Sequence, residues 1–153
     1  MNLSALHQYL IVKDGVNKLV LLFEKLNGEL FKESFTLDGF LTTETSFELT
    51  HAILNLLEEN KINKSDRDGL QSFFTQIQEQ ISTLPVIHLM LAFYPKDKTI
   101  RAIHDWFYDN YKKTVLLDIT VDRTLIGGSV VSFKGRANDY SLKNRIEQMQ
   151  ASD

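Results

Sequence analysis

Apolar residues recur at helical spacing through the first half of the chain and at strand spacing through part of the second. Val16, Leu19, Val20, Phe23, Leu26 and Leu30 follow Asp14-Gly15 at intervals of three and four, which predicts an amphipathic helix capped by Asp14 and stopped near Asn27-Gly28. Residues 29–43 read less cleanly. Phe31, Phe35, Leu37, Phe40 and Leu41 are apolar, Asp38-Gly39 reads as a turn, and both a hairpin and two short helices stay open. Thr45-Ser46-Phe47-Glu48 has the form of a capping box, with the hydroxyl of Thr45 at the cap. The helix it opens carries Leu49, Ile53, Leu56 and Leu57, and Asn60 to Lys64 breaks it. Ser65-Asp66-Arg67-Asp68 opens the next, whose stripe is Leu70, Phe73, Phe74, Ile77, Ile81 and Leu84. Pro85 ends it, because proline lacks the amide and clashes with the preceding turn.

Beyond Pro85 the period changes. Val86 to Tyr94 is near-continuously apolar, the pattern of a strand covered on both faces, and makes His88 a core histidine. Asp97 is placed to cap a helix reaching about Tyr111, with Ile100, Ile103, Phe107 and Tyr111 inward and Trp106 flanking. Residues 114–121 alternate, so Val115, Leu117, Ile119 and Val121 share a face. A Gly127-Gly128 loop, a strand near 129–133, a turn at Lys134-Gly135, a short strand before Asp139 and a helix from about Ser141 complete the chain. The expected fold class is α+β: a helical bundle over 1–84, then a small β-α-β-β-α domain over 85–153 with room for one further strand.

Composition narrows the function. The 153 residues carry a net charge of −3, and no sustained basic stripe exists to neutralise phosphates, so nucleic acid is not an expected partner. The charge is uneven: residues 1–84 hold 7 basic and 12 acidic side chains, residues 85–153 hold 10 and 8. Without cysteine there is no disulfide, thiolate metal site or cysteine nucleophile. No apolar run approaches the ~20 residues of a membrane span, and Met1 to Val12 lacks the charged leader of a secretory signal. Any membrane link is expected to run through partners.

The richest stretch is Val121-Asp122-Arg123-Thr124-Leu125-Ile126-Gly127-Gly128, followed at a distance by Asp139-Tyr140-Ser141-Leu142-Lys143-Asn144-Arg145. Paired glycines permit positive φ or close backbone approach. These residues resemble the delta subunit family of F-type ATP synthases, whose members carry a strand, Val-Asp-x-Ser/Thr-Leu-Ile-Gly-Gly, a second strand, then Asp-x-Ser and a short basic helix. The resemblance covers about residues 47–150. Its family-motif residues are Asp122, Leu125, Ile126, Gly127, Gly128, Asp139, Ser141 and Arg145. Only 84 residues precede Pro85, fewer than the family's six-helix bundle uses, and the usual Tyr-Ala opening is missing.

The sequence is expected to hold no catalytic, cofactor-binding or metal-ligating residues. The Gly-Gly loop lies between strands without a phosphate-binding lysine or dinucleotide fingerprint. Asp122 is expected to cap the loop, and Asp139 or Ser141 the last helix, in preference to acid–base work. His7, His51, His88 and His104 form no His-x-x-x-His pair. The resemblance therefore implies a non-catalytic peripheral-stalk subunit on the cytoplasmic side of the inner (plasma) membrane. It would join the alpha subunits of the catalytic head to the membrane-anchored b subunits and so support proton-driven ATP synthesis. An adaptor serving another complex and a small phosphate-handling enzyme are the alternatives. Leu54, Phe73, Phe74, Ile77 and Trp106 exceed what one inward face needs, so some of them are expected to meet a partner.

Overall fold

The computed structural model describes residues 2–151. They form two compact units: residues 2–10 with 15–83, and residues 11–14 with 84–151.

The first unit is helical. A 3-10 turn, Ser4–Tyr9, precedes α1 (Lys13–Glu29), α2 (Leu37–Glu44), α3 (Phe47–Glu59) and α4 (Arg67–Ser82), the first residues of α1 belonging to the second unit. The ambiguous stretch therefore resolves as one short helix, and Asp38-Gly39 lies inside it rather than in a turn. Leu37, Phe40 and Leu41 all face inward there, and burying three apolar side chains outweighs the poor helix propensity of one glycine. The capping box is also displaced by one residue. Ser46, not Thr45, accepts from the Leu49 amide at 3.3 Å, while the Thr45 hydroxyl turns back to the Leu41 carbonyl at 2.8 Å and closes α2. Asp66 caps α4 through the Gly69 amide at 3.0 Å. Val16, Leu19, Phe23 and Leu26 of α1 and Leu70, Phe73, Phe74, Ile77 and Ile81 of α4 are buried. Phe23 and Phe74 stack with centroids 4.9 Å apart.

The second unit is a four-stranded mixed sheet of β1 (Val86–Leu91), β2 (Leu116–Val121), β3 (Ser129–Phe133) and β4 (Arg136–Asp139), in the order β2-β1-β3-β4. β1 and β2 are parallel, so they need a crossover, and α5 (Asp97–Tyr111) supplies it. β3 runs antiparallel to both β1 and β4. The helix α6 (Leu142–Gln150) follows. The mixed α+β architecture agrees with the sequence reading. Asp97 is the first residue of α5 rather than its cap; Lys96 holds the cap position without a side-chain bond.

Ile87, Leu89, Val115 and Leu117 pack with Ile100 and Phe107 of α5 and with Ile11. Ile11 and Val12 enter this unit as a fragment of extra edge: the Leu117 amide donates to the Ile11 carbonyl at 2.8 Å, and Val12 bridges Leu117 in parallel. Nothing in the local sequence announces that pairing.

The expectation that β1 is covered on both faces is overturned. Ile87 and Leu89 are buried, whereas His88 and Met90 are exposed. His88 is thus a surface residue, not a core one. The register sets it opposite Asp118 and Ser132, giving that face of the sheet a polar row. One oxygen of Asp118 meets both His88 Nδ1 at 3.0 Å and Lys13 Nζ at 3.2 Å.

Candidate functional site

The glycine-loop residues and the residues around Ser141 come together at one end of the second unit's sheet. β2 ends at Val121, and the Asp122 amide donates to the Leu91 carbonyl at 2.8 Å. The Asp122 carboxylate then accepts from both the amide and the hydroxyl of Thr124, at 2.8 and 2.7 Å, winding Arg123–Leu125 into a 3-10 turn. Leu125 points inward and is buried; Ile126 points outward and is 64% exposed. Ile126 also has φ 66°, an unusual conformation for a β-branched residue.

The two glycines differ. A Cβ on Gly127 would meet only Leu142, at ordinary contact distance. A Cβ on Gly128, whose φ is +77°, would run into the carbonyl of Tyr140. Two hydrogen bonds tie the loop to the β4–α6 corner: the Leu142 amide donates to the Gly127 carbonyl at 2.9 Å, and the Tyr140 amide to the Ser129 carbonyl at 2.8 Å. On the far side of that corner the Asp139 carboxylate accepts from the Ser141 amide at 2.8 Å. The Ser141 hydroxyl, itself buried, caps α6 through the Asn144 amide at 3.1 Å. Arg145 follows one helical turn on, its amide donating to the Ser141 carbonyl, and its side chain is exposed.

Electrostatics follow from these bonds. Hydrogen bonds from Thr124 hold the Asp122 carboxyl below its ordinary value, and those from Ser141 do the same for Asp139, with the Lys143 charge adding to both. Both shifts run against use as a general acid at neutral pH, which needs a raised carboxyl pKa. The arrangement is suited to holding backbone: two Asx-type turns and a serine cap lock a loop to a helix start.

The remaining sequence candidates scatter. Phe73, Phe74 and Ile77 are 4% exposed or less, so they are core residues of the first unit and offer a partner nothing. Adjacent Phe73 and Phe74 both fit because they straddle the middle of the buried stripe, their rings edge to face at 5.7 Å. Leu54 is half-buried, and Trp106 is 59% exposed on α5. Other apolar groups reach the surface in each unit. In the first unit a groove is lined by Tyr9, Leu21, Leu22 and Leu49 between Lys18 and Lys25, with Leu21 61% exposed. In the second, α6 has no buried residue; Leu142, Ile146 and Met149 are exposed, as are Ile126 and Tyr140 of the neighbouring loop and corner. The signal for these surfaces was the surplus of apolar residues on short helices, but sequence alone does not say which face another helix takes.

A helical unit followed by a β-α-β-β-β-α unit, whose glycine loop is locked by caps, defines an α+β protein. The profile of the ATP synthase delta (OSCP) subunit family matches residues 19–152, and the chain belongs to that family. It is similar to the ATP synthase subunit delta of Thermosipho africanus (strain TCF52B), 27% identical over 96 residues that cover 63% of this chain and 52% of that protein. It is similar also to the ATP synthase subunit delta of Malacoplasma penetrans (strain HF-2), 28% identical over 112 residues that cover 68% of this chain and 59% of that protein. The matched stretch spans only a little over half the length of these relatives. Among the described residues no helix is long and apolar enough to cross a membrane.

Proposed function

We propose that this chain is a non-catalytic peripheral-stalk subunit that ties the catalytic head of an F-type ATP synthase to its membrane-anchored b subunits. Holding the head against the torque of the rotating shaft keeps ion flow coupled to ATP synthesis. The observation that carries the reading, once family membership is established, is that each unit exposes its own apolar surface. A bridge between two partners needs one on each.

On the first unit the reading assigns the head to the groove beside Leu21. An amphipathic segment of an alpha subunit would lay its apolar face against Leu21, Leu22 and Leu49. On the second unit the reading assigns b to the surface made by Ile126, Leu142, Ile146 and Met149. Ile126 supports this assignment because a β-branched side chain held at positive φ and in water has no folding advantage there. The locked loop beneath it would present that side chain rigidly, which lowers the entropy lost on binding. The protein would lie on the cytoplasmic side of the plasma membrane, reaching it only through its partners.

Co-purification tests the proposal. A tagged full chain is expected to bring down alpha and b subunits. Leu21→Asp should release alpha while keeping b, and Ile126→Asp should release b while keeping alpha. Recovery of neither subunit with the unaltered chain would exclude the stator role and favour an adaptor of another complex.

A further inference from the structure

The opposite end of β3 from the glycine loop carries a feature that the stalk role leaves unused. α5 ends at Tyr111 with Lys112 in the left-handed conformation, φ 53°, and Lys113 follows. β3 and β4 join through a two-residue turn, Lys134-Gly135, in which both residues have positive φ. The Tyr111 ring meets the Phe133 ring edge to face at 5.6 Å, which brings helix end and hairpin turn together. Lys134 Nζ lies 5.3 Å from the centre of Phe133, and the ladder pairs Phe133 with Arg136, so those two side chains share the α5 side of the sheet. Lys112, Lys113, Lys134 and Arg136 are all exposed, and Asp109, 4.0 Å from Lys112, offsets one of the four charges. This end of the unit thus carries a net positive charge beside a half-exposed tyrosine, on a chain whose net charge is −3.

We propose that this end of the second unit is a docking surface for an acidic segment of a partner polypeptide, with carboxylates on the four cations and one apolar side chain against Tyr111. Charge complementarity selects the occupant. A lipid surface fits less well, because membrane-inserting tips carry projecting apolar side chains, and the tip here is Lys134-Gly135. A nucleic acid would need open ring faces for stacking, whereas Phe133 is engaged by Tyr111 and Lys134. The turn and the helix end are tied by ring packing, so the cations sit on a firm base and little ordering is needed on binding.

The test uses the full chain and a fluorescein-labelled amphipathic peptide with Glu on its polar face and Leu and Phe on its apolar face. A second peptide replaces each Glu by Gln. The acidic peptide should bind, and lose affinity on the order of tenfold between low and high salt. K134E/R136E should lose as much at low salt with an unchanged circular dichroism spectrum. Tyr111→Ala should weaken binding while leaving the salt dependence intact. Equal binding of the Glu and Gln peptides, or undiminished binding by K134E/R136E, would overturn the proposal. So would binding to phosphatidylglycerol vesicles or to an oligonucleotide with none to the peptide. If K134E/R136E loses its fold, K112E/K113E on the helix side gives the same reading.

Discussion

The two units hold themselves together in different ways. In the first, buried aromatic and aliphatic side chains from several helices meet in one interior, and α3 and α4 are each started by a side-chain cap, Ser46 and Asp66. Phe74 is fully buried, with Phe23 and Phe73 against it. In the second, a smaller cluster around Ile87, Leu89, Leu117, Ile100 and Phe107 forms the interior, and the corner at Asp122–Ser129 is held by short local hydrogen bonds and a backbone contact that leaves no room for a side chain. The first arrangement spreads its stability over much apolar area and is sensitive to lost volume. The second concentrates it in a few atoms and is sensitive to lost geometry.

Volume should show first. Phe74→Ala leaves a large cavity in the first unit and should lower unfolding stability by about 3–5 kcal/mol in a denaturant titration. A loss below 1 kcal/mol would mean that the interior collapses around the gap. Geometry comes next. Gly128→Val should cost about 1–3 kcal/mol for the positive φ alone, and overlap with the Tyr140 carbonyl adds to it. Thermal melts would detect this, and an unchanged midpoint would remove the close approach from the argument. Ser141→Ala removes the buried cap of α6 and should cost about 1 kcal/mol, with amide exchange quickening at Asn144 first.

Acid probes the same corner. The carboxyls of Asp122 and Asp139 are lowered from 3.8, so their contribution is full above that value and is lost as pH falls through the lower folded-state values. The double variant Asp122→Asn, Asp139→Asn should flatten that part of the acid limb; an unaltered limb would assign the acid sensitivity elsewhere. The smallest effect is expected at Gly127→Ala, within about 0.5 kcal/mol of the parent, since its Cβ has space. Equal damage at Gly127 and Gly128 would erase the distinction between them.

Local signals set much of this molecule. The stripes of α1, α3 and α4, the break at Pro85 and the cap at Ser141 follow from spacing and side-chain chemistry, which act over a few residues and are legible in the chain itself; the alternation expected of β2 does not hold, since Val115, Leu116 and Leu117 are all buried and Val121 is exposed. The Gly127-Gly128 loop was legible as an ordered connection, because two adjacent glycines between strands have few other uses. What lay beyond reach was every choice that depends on a distant partner. β1 looked covered on both faces, yet its pairing with β2 and β3 turned His88 and Met90 outward; an apolar run carries no record of which neighbour it will have. Ile11 and Val12 joined the second unit's sheet through Leu117, more than a hundred residues away. Phe73 and Phe74 looked too many for one face, but a wide buried stripe took both. The surfaces at Leu21 and Ile126 became visible only once the other helices and strands had chosen their sides. Periodicity says that a helix has an apolar face; which of those side chains remain in water is decided by packing.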